Sequence, residues 1–259
     1  MKKKSTAKSN FSREVLSKVP EVTLLFWVIK IAATTLGETG GDAVSMSMNL
    51  GYLVGTAIFA VLFLVAVVIQ IKAVKYHPFI YWFTIIATTT VGTTMADFAD
   101  RSLGIGYTGG SSLLLALLLG SLFVWHRTMG TVDVTSVNNS KTEMFYWVTI
   151  MFSQTLGTAL GDWTADTQGL GYLGSGGLFF LLLAIVAGLY YVTKISPVFL
   201  FWSAFILTRP LGAVLGDFLD KPLDHGGLAL SRFTATGVLL AFMIGCIFFF
   251  PQRAARKGH

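Results

Sequence analysis

The sequence predicts an all-α integral membrane protein of eight transmembrane helices, arranged as four tandem two-helix repeats. Of its 259 residues, 54% are hydrophobic and 12% are charged, and that charged fraction is about half of what an ordinary soluble domain carries. A second observation is a motif that occurs four times, with a Trp ten residues before a Gly and an Asp five residues after it. The four copies are Trp27–Gly37–Asp42, Trp82–Gly92–Asp97, Trp147–Gly157–Asp162 and Trp202–Gly212–Asp217.

The copies fall into two pairs. Copies one and three share Thr-Leu-Gly-x-x-x-Gly-Asp, whereas copies two and four share Gly-x-x-x-x-Asp-Phe-x-Asp. Members of a pair are 120 positions apart, and the two copies within each half are 55 apart. This spacing indicates that a two-helix unit was duplicated twice. Since each unit crosses the membrane twice, all copies have one orientation, and the pseudo-symmetry axis is expected along the membrane normal.

Eight apolar runs are long enough, at about 20 residues, to cross the hydrocarbon core. Lipid offers no partner for backbone polar groups, so these runs are expected to be α-helices. The runs cover residues 21–41, 51–73, 78–97, 108–126, 143–161, 173–193, 197–216 and 228–250.

The basic residues predict the topology. Fourteen of the 19 Lys and Arg residues lie in the termini or in loops on the N-terminal side, whereas Arg101, Lys221 and Arg232 lie on the other side. Both termini are therefore expected in the cytoplasm. The chain divides into a basic cytoplasmic tail, a first half, a cytoplasmic linker, a second half and a C-terminal tail, which are residues 1–19, 20–126, 127–142, 143–250 and 251–259.

The repeated acids are expected together at the outer ends of the first, third, fifth and seventh helices. A carboxylate near a helix C-terminus meets the negative end of the helix dipole, and four such groups around one axis repel one another. A bound cation would offset both effects, since carboxylates are hard oxygen ligands; capping of the next loop is the alternative. The candidate ion-binding or metal-binding residues are Asp42, Asp97, Asp162 and Asp217, with Glu38, Asp100 and Asp220 beside them.

Three ionisable residues break the repeat pattern and lie inside apolar runs. Glu38 and Arg209 are expected one helical turn apart in level, which predicts a contact between them, with a gating or a purely structural role. Lys30 lies on the same face of its helix as Glu38, and it is predicted together with Arg209 as a gating or counter-ion residue. Ionisable groups at such depth are expensive and usually functional. Small-xxx-small spacing allows close helix packing, and the predicted packing residues are Gly37, Gly92, Gly157 and Gly212.

These residues favour a transporter or channel for a small cation, with a divalent metal ion preferred. A carrier of a small organic or anionic solute, recognised by Arg209 and Lys30, is the alternative, as is a scaffold or sensor that transports nothing. No enzyme motif is present, and the single cysteine, Cys246, excludes an intrachain disulfide. The expected partners are the lipid bilayer and the cation, with no nucleic acid and no cofactor.

The fourfold Gly-x-x-x-x-Asp core, with Gly-Tyr downstream in three copies, resembles the bacterial membrane family built on the "repeat of unknown function 347". The resemblance covers about residues 20–250. It implies a multi-pass protein of the bacterial inner membrane and assigns no activity to it. The fourth copy departs from the pattern, because it lacks the Tyr and carries Arg209-Pro210.

Overall fold

Eight long α-helices make up most of the computed structural model, which describes residues 17–256. No β-strand occurs in that range, although Pro20 and Ala254 form an isolated antiparallel bridge. The helices are Leu24–Asp42 (α1), Gly51–Lys72 (α2), Pro78–Asp97 (α3), Tyr107–Met129 (α4), Ser140–Asp162 (α5), Gly171–Val192 (α6), Pro197–Asp220 (α7) and Arg232–Phe249 (α8). These bounds agree with the predicted apolar runs to within a few residues.

The sequence explains where several helices begin. Pro78 and Pro197 open α3 and α7, where the missing N–H would have had no partner in the helix. Asn139 caps α5 through a capping box with Thr142, so the connection between the halves is shorter than the predicted linker. Of the predicted tails, residues 1–16 and 257–259 lie outside the described residues.

The odd-numbered helices α1, α3, α5 and α7 form a closed inner ring, in which each contacts its two neighbours. Each even-numbered helix packs on the inner helix of the following repeat: α2 on α3, α4 on α5, α6 on α7, and α8 on α1. A single two-helix unit could not bury its own inner face, so the four units depend on one another. The contact of α8 with α1 closes the circle.

The repeated glycines lie where neighbouring inner helices touch. A Cβ added to Gly37 would overlap Thr89 of α3, and one added to Gly157 would overlap Arg209 of α7. Each repeated glycine meets the residue three positions before the glycine of the next repeat. Equivalent levels of neighbouring inner helices thus lie side by side, as they do when the helices run parallel. The four contacts are Gly37 with Thr89, Gly92 with Gln154, Gly157 with Arg209, and Gly212 with Thr34.

Six of these helices are long and apolar enough to cross a membrane, which indicates a multi-pass membrane protein: α2, α3, α4, α6, α7 and α8. The outer members of this set expose most of their surface, as a lipid-facing helix does, whereas α3 and α7 are largely buried. The remaining inner helices, α1 and α5, carry more polar residues, including Lys30 and Glu143, and are not among the six.

One end of the bundle carries the ends of the described chain. Lys18 forms an ion pair with the buried Glu143 at 2.6 Å, and its backbone N–H donates to Val137 in the connection between the halves. Trp82 Nε1 donates to Gln252 Oε1 of the C-terminal segment at 2.7 Å. The two described ends and the interhalf connection therefore meet at this end, and the repeated acids lie at the opposite one.

Candidate functional site

The four repeated aspartates end the inner helices at one level. Asp42, Asp97 and Asp162 are the last residues of α1, α3 and α5, and each is followed by a five-residue π-helical turn. Asp217 lies in the last turn of α7, which continues as an α-helix to Asp220. All four residues are at most 3% exposed, so any charge they carry must be compensated from within the protein or by a bound ion.

Two basic residues bridge these aspartates in pairs. Arg101 contacts Asp97 through Nε and Asp162 through Nη2, both at 3.0 Å. Lys221 contacts Asp42 at 2.5 Å and Asp217 at 3.0 Å. Each basic residue thus joins the aspartate of its own repeat to that of the next repeat.

The sequence predicts Arg101 and Lys221 at the same end of the bundle as the repeated acids, which the structure shows, but it did not identify them as partners of the acids. Both stand nine residues after the repeated glycine, in repeats two and four, and this shared offset could have identified them. The other two repeats have Met46 and Asp166 at that position. Burial disfavours the Lys221 ammonium, but the carboxylates of Asp217 and Asp42 outweigh burial and raise the pKa of this lysine above its ordinary value.

The second acids of the two Asp-Phe-x-Asp sequences lie in different surroundings. Asp220 accepts a hydrogen bond from Arg232 Nε at 3.0 Å, and Arg232 also lies 3.8 Å from Asp42. The Oδ1 atom of Asp100 has no hydrogen-bond partner in the described part of the chain and lies against Gly110 of α4. The structure therefore brings together five of the six aspartates predicted from the sequence, and Asp100 is the exception.

Glu38 and Arg209 form the contact that the repeat alignment suggested. Arg209 Nη2 lies 3.0 Å from Glu38 Oε2, and both side chains are buried. The same Nη2 lies 2.6 Å from Thr93 Oγ1 and 2.5 Å from Thr158 Oγ1. In the repeat alignment Thr93 and Thr158 are the counterparts of Glu38, so Arg209 joins three inner helices at this level.

Lys30 does not join the acidic cluster. Its ammonium lies 4.2 Å from the centre of the Phe205 ring and has no hydrogen-bond partner in the described part of the chain. The nearby charge acting on it is that of Arg209, which has the same sign. Lys30 is thus a completely buried amine whose identified neighbour is an aromatic face.

The carboxylates form two groups that could hold a cation. In each group, one oxygen of every member lies within 4.8 Å of the oxygens of the other two. The first group is Glu38, Asp42 and Asp97, and the second is Asp42, Asp217 and Asp220. Asp42 belongs to both groups. The buried acids therefore continue without a break from the level of the repeated aspartates to Glu38.

The chain matches the family model described as Repeat of Unknown Function (DUF347) four times in tandem, over residues 25–76, 80–131, 145–196 and 200–253. These matches cover most of the chain, and each spans one inner helix and the outer helix that follows it. No curated protein and no solved structure matches the chain. The chain belongs to the family built on the Repeat of Unknown Function (DUF347).

Proposed function

We propose that this protein moves a small cation across the bacterial inner membrane, with a divalent metal ion as the preferred substrate. In this proposal all eight helices span the bilayer, both termini are cytoplasmic, and the repeated aspartates lie near the outer surface. The positive-inside distribution of Lys and Arg supports that orientation. Because polar α1 and α5 are enclosed by the other helices, their buried charges would not face lipid.

The excess of negative charge in the buried acidic cluster is the observation that carries the proposal. Six carboxylates lie in the cluster and are each at most 7% exposed, but four basic side chains pair with them. If every group is ionised, two negative charges are left without a partner among the described residues. Uncompensated buried charge is very costly, and carboxylate oxygens suit divalent cations such as Ca²⁺. A bound cation would restore the balance.

The arrangement also supports a direction of movement. A cation would enter among the aspartates at the outer end and reach Glu38 through Asp42, which belongs to both three-carboxylate groups. Beyond Glu38 the Arg209 guanidinium, hydrogen-bonded to Thr93 and Thr158, opposes further passage by charge repulsion. We therefore assign Arg209 the role of a gate that must move, or change partner, before a cation can pass.

Cation-dependent thermal stability of the detergent-purified protein, followed by flux into liposomes, tests this function. A ligand that binds the folded state at a hundredfold excess over its Kd stabilises the protein by about 2.7 kcal/mol. We expect a selective shift for one cation among Mg²⁺, Ca²⁺, Mn²⁺, Na⁺ and K⁺, and loss of both shift and flux in Asp42→Asn. The matched control is Asp166→Asn, because Asp166 is an exposed acid of the same end of the bundle.

Two results would contradict the proposal. One is the absence of any cation-selective shift or flux in the unmodified protein. The other is unchanged binding and flux in Asp42→Asn and Asp97→Asn together. Binding of an organic or anionic solute that disappears in Arg209→Gln would instead favour the alternative carrier.

A further inference from the structure

We propose that Asp42, Asp217 and Asp220 form a cation site whose resting occupant is the ammonium of Lys221, which an incoming cation displaces. This inference rests on the proposed function, since it states how the same acidic cluster is kept closed when no substrate is bound. It assigns Lys221 as a residue that sets the affinity of the site. The argument depends on the position of the ammonium, on unfilled ligand atoms and on the contrast with Arg101.

The ammonium lies where a bound cation would lie. Lys221 Nζ is 2.5 Å from Asp42, 3.0 Å from Asp217 and 4.0 Å from Asp220. These carboxylates make up one of the two groups in which one oxygen of each member lies within 4.8 Å of the others. A metal ion bound by these three carboxylates would occupy a similar position.

The site has ligand atoms that the ammonium leaves unused. The side chains of Asp42 and Asp220 are almost completely buried. The Oδ1 atom of each nevertheless has no hydrogen-bond partner among the described residues. A buried carboxylate oxygen without a partner is costly. Ca²⁺ accepts six to eight oxygen ligands and Mg²⁺ accepts six, whereas an ammonium offers three N–H donors, so either ion could use oxygens that Lys221 does not satisfy.

Lys221 is placed so that it can leave. It follows the last residue of α7 and precedes the turn Leu223–His225, and its backbone N–H and carbonyl are held by Asp217 and Ala229 respectively. Its backbone is thus anchored while its flexible four-carbon side chain, 12% exposed, reaches the acids from the outer edge. The proposal requires this side chain to rotate outward from the acids.

Arg101 offers the internal comparison. It occupies the equivalent place in repeat two and bridges Asp97 to Asp162 through two separate nitrogens. A planar guanidinium holds two carboxylates in fixed geometry, whereas an ammonium is a compact point charge. Asp162 belongs to neither three-carboxylate group. Arg101 is therefore expected to be a fixed bridge, and Lys221 an exchangeable ion.

The experiment compares full-length Lys221→Met with its matched control Arg101→Met. Thermal stability is titrated with CaCl₂, MgCl₂, MnCl₂ and NaCl at constant ionic strength. Lys221→Met removes the competing charge. The cation concentration that gives half of the maximal rise in unfolding temperature should therefore fall by about tenfold or more. Lys221→Arg should not show this gain, and Arg101→Met should show none or a loss.

Folding of the variant is controlled separately, because Lys221→Met leaves three acids together. The double variant Lys221→Met/Asp217→Asn removes one charge of each sign, and it should still bind the cation more tightly than Asp217→Asn alone. Folding of Lys221→Met that is recovered by added Ca²⁺, Mg²⁺ or Mn²⁺, and not by NaCl, would also support the proposal.

The outcomes separate this inference from the proposed function. If the unmodified protein responds to a cation but Lys221→Met responds at the same concentration, Lys221 is not a displaceable occupant and the inference is overturned. An equal gain in Arg101→Met overturns it as well. If neither the unmodified chain nor Lys221→Met responds to any of the four cations, the proposed function itself fails.

Discussion

At the scale of single residues, the positions that depart from fourfold symmetry carry the charges inside the bundle. Arg209 stands where two other repeats have threonine, and its Cβ and Cγ lie against Gly157, which has no side chain there. Beyond Gly157 the Arg209 side chain continues to the level of Glu38, where its guanidinium pairs with that carboxylate. One missing side chain on α5 thus makes room for an arginine whose pairing joins three helices.

Lys30 gives a prediction about a charge without a partner. We expect Lys30→Met to leave the free energy of unfolding unchanged or to raise it, because methionine has a similar length and no charge to bury. The matched control is Lys18→Met, since Lys18 is also buried but pairs with Glu143. Loss of one partner of a buried ion pair costs about 3–5 kcal/mol.

Thermal or denaturant unfolding of both variants in the same detergent measures this difference. A loss of stability in Lys30→Met as large as that in Lys18→Met would contradict the prediction. It would mean that the ammonium of Lys30 has a partner, such as a bound anion, and would add weight to the alternative carrier.

At the scale of helices, the repeated glycines set the spacing of the inner ring. We expect Gly157→Ala to destabilise the protein by about 1–3 kcal/mol, the usual cost of forcing an extra methyl into a packed core. A Cβ at Gly157 would overlap Arg209, and the backbone of α7 is also within 3.1 Å of that Cβ position. The same variant should weaken cation binding, because it displaces α7, which carries Asp217 and Asp220.

Gly188→Ala is the control for this prediction. Gly188 lies inside α6 and has open space around its Cβ position, so alanine should stabilise the protein by about 0.5–1 kcal/mol through helix propensity. Unfolding measurements on both variants test the contrast. Equal effects of the two substitutions would show that the inner glycines are not packing contacts.

The sequence predicted the helices well because apolar length and a repeated motif are local signals. It also predicted that the four repeated aspartates meet, since the repeat aligns them at one level, but it wrongly grouped Asp100 with them. It did not predict the partners of the acids, because Arg101 and Lys221 lie outside the apolar runs and reach across to the next repeat. The three π-helical turns were missed too, although they occur in the three repeats that carry the downstream Gly-Tyr and not in the fourth, which lacks it.

At the scale of the whole molecule, circular closure explains how charged groups can lie inside a membrane bundle. Each outer helix covers the inner helix of the following repeat, so the polar helices α1 and α5 are enclosed. Both the Lys18–Glu143 pair and the acidic cluster lie at the ends of that enclosed ring. In a membrane the exposed outer helices would face the lipid, which would leave the enclosed inner ring able to carry residues that lipid excludes.

This arrangement makes a prediction about topology, with α5 as its sharpest case. In a background with Cys246 replaced by Ala, single cysteines are placed at the exposed positions Arg127, Gln168 and Lys194 and labelled in intact cells with a membrane-impermeant maleimide. Arg127 and Gln168 flank α5, and Gln168 and Lys194 flank α6.

If both helices span the membrane, Gln168→Cys should be labelled from outside, and the other two variants should react only after the membrane is opened. Apolar α6 serves as the internal control, since it has the composition of a spanning helix. Equal outside labelling of Arg127→Cys and Gln168→Cys would mean that α5 does not cross, and the acidic ends of the inner helices could then not share one side of the membrane.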